Sequence, residues 1–286
     1  MHQIYPMNCE IVKATTQDNL TLYGLLFRAK GSAIVINIHG TASNFYEEDF
    51  IPVIAKKFGK AGISMLSTNN RGANVLQAYP PSGASMELFE NCILDIDAWI
   101  SFAKSMGYTD IILEGHSFGT EKVVYYMNKG KHRKSVKAVI LLGFSDSWGS
   151  QAEYAKNKKY LMDEAKGLVE EGKGHLFLRS DWHAQYGIMS KSAASYLNCY
   201  ADNSELSKAL PLNTGKLDFY RKIKVPILAV IGDKKEYTVI PVKDALELLK
   251  KENRLTKAYQ IKNCNHCFEG KEKELAGIVE KFLIRV

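Results

Sequence analysis

Short, mainly apolar runs alternate along this chain with segments in which apolar residues recur at helical spacing. The apolar runs occupy residues 33–38, 63–66, 111–114, 139–142 and 227–231. They lack the apolar–polar alternation of a strand with one face in water, so they predict strands that are buried on both faces. A mostly parallel sheet with helices on both faces is therefore expected.

Apolar stripes predict helices between these strands. The predicted helices span residues 47–60, 86–106, 117–128, 242–251 and 271–284, and one further strand is predicted over 258–261. At the start of the chain, residues 9–29 alternate apolar and polar positions on both sides of Asp18-Asn19. That pattern predicts two strands joined by a turn.

The alternation of strands and helices stops after Gly143 and resumes at residue 226. Residues 144–225 predict helices over 152–171 and 190–200 but no convincing strand. We expect a helical cap, inserted after the sixth strand into a core made of residues 1–143 and 226–286. The aromatic residues of this insertion either line an apolar pocket or pack the cap onto the sheet: Tyr154, Tyr160, Phe177, Trp182, Tyr186, Tyr196 and Tyr200.

Composition narrows the class of protein. The 286 residues carry a formal net charge of +7, but the basic residues are scattered among acidic ones and form no arginine-rich stripe. A solvated surface is favoured over a nucleic-acid interface. No apolar run approaches the ~20 residues that a membrane helix needs, and the first residues lack the pattern of a signal peptide. A soluble, cytoplasmic protein is expected.

The five cysteines are widely spaced and predict no disulfide framework. Cys264 and Cys267 form a Cys-x-x-Cys pair, but no second Cys/His pair lies at the spacing of a zinc site. Ordinary thiols are expected, with no metal and no organic cofactor.

Gly115-His116-Ser117-Phe118-Gly119 follows a predicted buried strand and precedes a predicted helix. A strand, a sharp turn and a helix around Gly-x-Ser-x-Gly are typical of a nucleophile elbow, in which the serine hydroxyl is lifted clear of the sheet. The flanking glycines are needed because the backbone folds tightly around the serine. Ser117 is the predicted nucleophile.

A serine nucleophile needs a base, and the chain has seven histidines. His266 follows the last predicted strand, in a loop before the final helix, and is the predicted general base. The oxyanion hole needs two backbone N–H groups. We expect them from Phe118, directly after the nucleophile, and from Thr41, in the turn after the strand over 33–38.

These motifs together resemble those of the α/β-hydrolase superfamily across nearly the whole chain. The matching segments are His39-Gly40, Asn70-Arg71-Gly72, the turn at Ser117, and Asn265-His266 followed by Phe268-Glu269-Gly270. The resemblance implies an eight-stranded, mostly parallel sheet and a Ser/acid/His triad. A narrower resemblance to fungal siderophore (fusarinine-type) esterases is carried by Ser145-Asp146, Tyr196-Leu197 to Asp202, and Glu236-Tyr237. It suggests an ester of an amino-acid-derived or hydroxamate-type substrate.

The acid departs from the superfamily pattern of Gly, two residues, then Asp. A lysine, Lys235, occupies the usual position after Gly232. Asp233 is the preferred candidate, since in an extended segment it would point to the same face as residue 235. Glu236 lies one residue downstream with a longer side chain, and Asp146 follows the sixth strand, where some related enzymes place the acid.

The expected function is hydrolysis of a small-molecule carboxylic ester by a serine hydrolase through an acyl-enzyme. Thioesterase, peptidase or acyltransferase activity on the same residues is a further possibility. The alternative from another class is a non-catalytic ligand-binding protein on a hydrolase fold, which Lys235 at the acid position favours. Function must be argued from the site rather than the fold.

Overall fold

The computed structural model describes residues 8–179 and 191–285, and an eight-stranded sheet lies at its centre. A separate two-stranded hairpin was not predicted from the sequence. In chain order the strands are β1 Glu10–Thr15, β2 Thr21–Phe27, β3 Ala33–Ile38, β4 Ser64–Thr68, β5 Gln77–Ala78, β6 Pro81–Ser82, β7 Asp110–His116, β8 Val136–Leu142, β9 Ile227–Ile231 and β10 Thr256–Gln260.

The strand order across the sheet is β1-β2-β4-β3-β7-β8-β9-β10. β2 pairs antiparallel with β1 and β4, and all other pairs are parallel. The carboxyl ends of β3, β4, β7, β8, β9 and β10 therefore meet at one edge of the sheet. In open sheets of this kind ligands bind at that edge.

Helices cover both faces of the sheet. Phe58 and Val279, on the first and last helices, pack in one core cluster with Val35 of β3. Trp99 packs on the opposite face, where Ile36 also points. Successive β3 side chains thus enter opposite cores, as strand geometry requires. The helices are α1 Phe50–Lys60, α2 Cys92–Ser105, α3 Phe118–Lys129, α4 Ser147–Ala155, α5 Lys159–Glu170, α6 Ala193–Tyr200, α7 Leu206–Ala209, α8 Asp218–Arg221, α9 Val242–Glu252 and α10 Glu272–Leu283.

The described part of residues 144–225 is helical, from α4 to α8, with one isolated bridge between Phe177 and Ser192. Leu161 of α5 and Tyr196 of α6 pack with Ala84, and Ala42 of the turn after β3 lies against the same cluster. The segment therefore contacts the carboxyl edge of the sheet. Trp182 and Tyr186 lie outside the described residues. No helix within the described ranges is long and apolar enough to cross a bilayer.

Candidate active site

A strained turn holds Ser117 between β7 and α3. The residue has φ 54° and ψ −127°, a backbone conformation that non-glycine residues rarely adopt. A Cβ on Gly115 would lie 2.5 Å from the carbonyl oxygen of Gly119, and one on Gly119 would lie 2.0 Å from that of Ile38. Both flanking glycines are therefore sterically required by this turn.

We predict that Gly119→Ala destabilises the fold by at least about 3 kcal/mol, because the new methyl group meets a backbone oxygen that cannot move aside. The matched control is Gly277→Ala within α10, where no atom lies within 4 Å of the new Cβ. The control is expected to gain about 0.5–1 kcal/mol from helix propensity. Urea unfolding of both variants measures the difference, and equal effects would contradict the steric argument.

The turn after β3 lies against the serine. A Cβ on Gly40 would be 2.8 Å from the Ser117 Cβ and 3.3 Å from its Oγ. Thr41 lies exposed in this turn, and Phe118 is the first residue of α3, whose first N–H groups have no partner within the helix. Both expected oxyanion donors thus belong to segments that flank the Ser117 hydroxyl.

His39 holds this turn through hydrogen bonds to the backbone and is not a candidate base. Its Nδ1–H donates to the carbonyl oxygen of Gly40 at 2.7 Å, and its Nε2 accepts the backbone N–H of Asn70 at 3.2 Å. Burial lowers the pKa of His39 to about 4, so the ring is neutral at pH 7. Both of its nitrogens are occupied in holding backbone.

His266 lies in the loop after β10, as predicted, and a carboxylate holds its ring. Its Nδ1 is 2.7 Å from Oε2 of Glu236. A carboxylate oxygen can only accept, so Nδ1 carries the proton and Nε2 presents a lone pair. Nε2 is buried and makes no hydrogen bond to any residue of 8–179 or 191–285. This is the tautomer that a general base requires.

Glu236 reaches His266 because the chain turns sharply just before it. Lys235 has φ 56°, in the left-handed region. The second carboxylate oxygen of Glu236 accepts the backbone N–H of Gly232 at 3.0 Å. A Cβ on Gly232 would lie 2.6 Å from that oxygen and 2.3 Å from the carbonyl oxygen of Cys264. The carboxylate is therefore hydrogen-bonded to Gly232, the residue directly after β9.

The structure does not bring Asp233 to His266, although Asp233 is preferred from the sequence. Its carboxylate accepts the backbone N–H groups of Asn263 and Cys264 at 2.9 and 3.0 Å. The preference assumed an extended segment, but the left-handed turn at residue 235 breaks the alternation of faces. Asp146 is also engaged elsewhere: it caps α4 through the N–H of Gly149 at 2.7 Å and accepts the N–H of Asn213 at 3.0 Å.

Two further charged pairs near the site were not predicted from the sequence. Lys122 of α3 and Glu87 form a fully buried ion pair with an N–O distance of 2.7 Å, and Lys122 also donates to Oδ1 of Asn70 at 3.0 Å. His116, predicted only as part of the turn at Ser117, contacts Glu48. Nothing in the local sequence pairs residues so far apart.

The two cysteines that flank His266 differ in exposure, since Cys264 is buried and Cys267 is exposed. Burial raises the pKa of the Cys264 thiol to about 11. Among the described residues, no group of three or more His, Cys, Asp or Glu side chains is arranged to hold a metal ion.

A second buried carboxyl lies on α3, one helical turn after Ser117. Glu121 interacts with the hydroxyls of Ser145 and Ser147 at 2.9 and 2.5 Å and accepts the N–H of Ser147 at 2.9 Å. Burial is the main cause that raises its pKa to about 8. The folded protein therefore holds this carboxyl protonated at pH 7.

We predict that Glu121→Gln flattens the pH dependence of stability. A folded-state pKa raised above the unfolded value gives stability that is complete below about pH 4.5 and is lost as pH rises towards 8. The introduced amide does not titrate, so the free energy of unfolding of the variant relative to wild type should rise by about 3.5 kcal/mol between pH 5 and pH 8. Urea unfolding at both pH values tests this. The exposed Glu247→Gln should show no such trend, and a parallel pair of curves for Glu121→Gln would contradict the prediction.

Sheet order, strand directions and the turn at Ser117 define an α/β-hydrolase fold. The chain belongs to the family described as a protein of unknown function, DUF1749, whose model matches residues 49–282. No functionally curated protein matches the sequence at a significant level.

Solved structures with this fold include several esterases. An esterase of Pyrococcus furiosus is 18% identical with a TM-score of 0.64, and the match covers 98% of this chain and 91% of the other. Est1E of Butyrivibrio proteoclasticus, solved with ferulic acid bound, is 17% identical with a TM-score of 0.66 and covers 96% and 98%. DcsB, in a complex with its substrate analogue, is 15% identical with a TM-score of 0.72 and covers 97% and 99%. At these identities the likeness concerns the fold.

Proposed function

We propose that the protein is a serine hydrolase that cleaves a carboxylic ester of a small molecule through an acyl-enzyme. One observation carries the proposal. His266 is fixed by Glu236 in the tautomer of a base, with its Nε2 unpaired among the described residues, at the same sheet edge as the strained Ser117. The esterases among the structural neighbours support the choice of ester over other acyl compounds.

In the proposed mechanism His266 Nε2 takes the proton from Ser117 as its oxygen attacks the ester carbonyl. Glu236 keeps the ring oriented and stabilises the imidazolium that forms. The N–H groups of Phe118 and Thr41 donate hydrogen bonds to the carbonyl oxygen and stabilise the negative charge that develops on it. The imidazolium protonates the leaving alcohol, and water activated by the same histidine then hydrolyses the acyl-enzyme.

We infer that residues 144–225 form a cap over this edge of the sheet, between core segments 1–143 and 226–286. The packing of the helical cluster against Ala42 and Ala84 supports this, because the turn with Ala42 directly follows Thr41. The aromatic ferulic acid bound by Est1E and the resemblance to fusarinine-type esterases suggest two substrate classes for assay, aryl esters and hydroxamate-type esters.

The non-catalytic alternative rests on Lys235 at the position of the usual acid. Its left-handed backbone gives this lysine a different role in our proposal, since it directs the next residue, Glu236, towards His266. A carboxylate is then available to the base, and the observation that favoured a binding protein no longer does so.

The test combines turnover with covalent labelling. We expect wild-type protein to hydrolyse p-nitrophenyl acetate or butyrate and to be modified by a fluorophosphonate probe on the peptide that contains Ser117, as read by mass spectrometry. Labelling should be prevented by heat denaturation, since the probe requires an activated serine. If the native protein shows no turnover and no labelling, the proposal is contradicted.

A further inference from the structure

A chain of polar contacts joins the three loops that carry the proposed reaction. Oε1 of Glu48 accepts the hydroxyl of Ser43 at 3.0 Å and lies 3.3 Å from Nδ1 of His116. The other ring nitrogen of His116, Nε2, is 3.0 Å from the backbone carbonyl oxygen of His266. The turn after β3, the turn at Ser117 and the loop of the base are thereby connected over 150 residues of sequence.

The two contacts define the protonation of His116. A carbonyl oxygen and a carboxylate oxygen can only accept, so both ring nitrogens face acceptors and both favour a proton. Burial acts to lower the pKa of His116, but the Glu48 carboxylate outweighs it and the net shift is upward. Burial opposes ionisation of Glu48 too, yet His116 holds the pKa of this glutamate down at about 2. At 3.3 Å the contact between Nδ1 and Glu48 is an ion-pair contact and not a hydrogen bond, and the two side chains are 3% and 12% exposed. The geometry and both pKa directions favour an imidazolium–carboxylate pair.

The surroundings of His116 add little that competes with this pair. Glu114, two residues earlier on β7, also favours the imidazolium, and burial raises the pKa of Glu114 to about 7. The ring of His266 lies with its centroid 5.1 Å away. Phe50 of α1 and Phe268 of the last loop pack on the remaining sides, with centroids 5.2 and 6.1 Å from that of His116. These rings bury the His116 side chain, which is only 3% exposed, while the Glu48 side chain is 12% exposed.

We propose that His116 and Glu48 are positioning residues, which hold the backbone of His266 so that its Nε2 stays aligned with Ser117. This inference rests on the proposed function and deepens it. Glu236 fixes the ring of the base from one side, while the His116 N–H fixes the loop that carries the ring. Misplacement of a reacting group by about 1 Å can cost 10²-fold in rate, so this second restraint should appear in kcat.

Two isosteric variants separate the two ends of the pair. In His116→Gln the amide nitrogen takes the place of Nε2 and can still donate to the His266 carbonyl. In His116→Asn the amide nitrogen takes the place of Nδ1 and reaches only towards Glu48. We expect His116→Asn to lose about 30- to 100-fold in kcat with KM nearly unchanged, and His116→Gln to stay within about 5-fold of wild type.

The pH profile adds a readout that a purely structural role would not move. In wild type kcat should fall on the alkaline side as His116 loses a proton, because the remaining N–H then faces the Glu48 carboxylate and Nε2 presents a lone pair to the His266 carbonyl. His116→Gln has no proton to lose there, so this alkaline limb should disappear. Equal losses in the Asn and Gln variants, or an alkaline limb that is the same in wild type and His116→Gln, would overturn the inference. Thermal unfolding of each variant accompanies the kinetics so that kcat is compared on folded protein.

A measurement without substrate distinguishes this inference from the proposed function. In ¹⁵N NMR of the imidazole side chains, the His116 signals are those present in wild type and absent in His116→Gln. In wild type at pH 7 these signals should show that both ring nitrogens are protonated. A neutral ring at that pH overturns the inference whatever the activity. Absence of wild-type turnover and of labelling at Ser117, with the doubly protonated signature present, would instead contradict the proposed function and leave the pair established.

Discussion

Ser117→Ala is expected to lower kcat for p-nitrophenyl esters by about 10⁶-fold, since the attacking oxygen is removed and the remaining residues act only by binding and polarising the substrate. The affinity for substrate should change little, because the hydroxyl contributes to the transition state far more than to the ground state. The fold should persist, because the strained backbone at residue 117 is held by Gly115 and Gly119 and not by the serine side chain. Ester turnover and fluorophosphonate labelling measure the effect.

Ser64→Ala is the matched control for this variant. Ser64 is buried at the amino end of β4, where its hydroxyl accepts the N–H of Ala29 at 2.8 Å and the hydroxyl of Tyr108 at 2.9 Å. Its removal should cost about 1–3 kcal/mol of stability and leave kcat unchanged. Turnover that survives in Ser117→Ala would rule out this residue as the nucleophile.

Glu236→Gln is expected to lower kcat by about 10⁴-fold with the fold intact. The amide fills the same space, but it can present an N–H to Nδ1 of His266 and so stabilise the wrong tautomer of the base. It also removes the negative charge that stabilises the imidazolium during attack. Steady-state kinetics at several pH values measure the loss, which should appear in kcat and kcat/KM alike because it concerns the transition state.

Asp233→Asn provides the comparison that decides between the candidate acids. This carboxylate accepts two backbone N–H groups of the segment that precedes His266, at Asn263 and Cys264, and does not contact the base. The variant should lose less than about 10-fold in kcat, because the exposed carboxylate contacts only backbone and not the base. If instead Asp233→Asn were the more damaging change, Glu236 could not be the residue that orients His266.

The sheet could be predicted because its central strands are continuous apolar runs. β3 and β9 begin and end at the predicted residues, 33–38 and 227–231, since both strands are buried on both faces. β3 is bounded by Ser32 and His39, and β9 by Pro226 and Gly232. Strand ends with polar residues were predicted less well. β8 begins at Val136, three residues earlier than expected, because Lys137 is exposed while its neighbours are buried.

The hairpin of β5 and β6 was not predicted, because it lacks a run of buried apolar residues. Its strands are two residues each, and their side chains are largely exposed. Neither apolar periodicity nor a Gly-containing turn indicates such a short element.

The candidate site divides in the same way. The positions of Ser117 and His266 at the carboxyl edge of the sheet could be predicted because each follows a recognisable strand end. Which of the three candidate acids lies beside His266 could not be predicted, because nothing in the sequence indicates the left-handed backbone at Lys235. The His116–Glu48 and Lys122–Glu87 pairs depend on which distant segments meet in three dimensions. A pattern along one sequence carries no information on such meetings.

Because Glu236 accepts the N–H of Gly232, we expect substrate range to vary among related proteins without a change in the chemistry. Glu236 fixes the orientation of His266 relative to the end of β9 and not relative to any helix of residues 144–225. In the proposed function, insertions, deletions or new aromatic side chains in that helical segment would therefore change which substrates enter the site, while the proposed proton-transfer geometry would stay constant. Within this family we expect lengths and compositions over 144–225 to diverge freely, and a small residue at 232 to persist beside the carboxylate at 236.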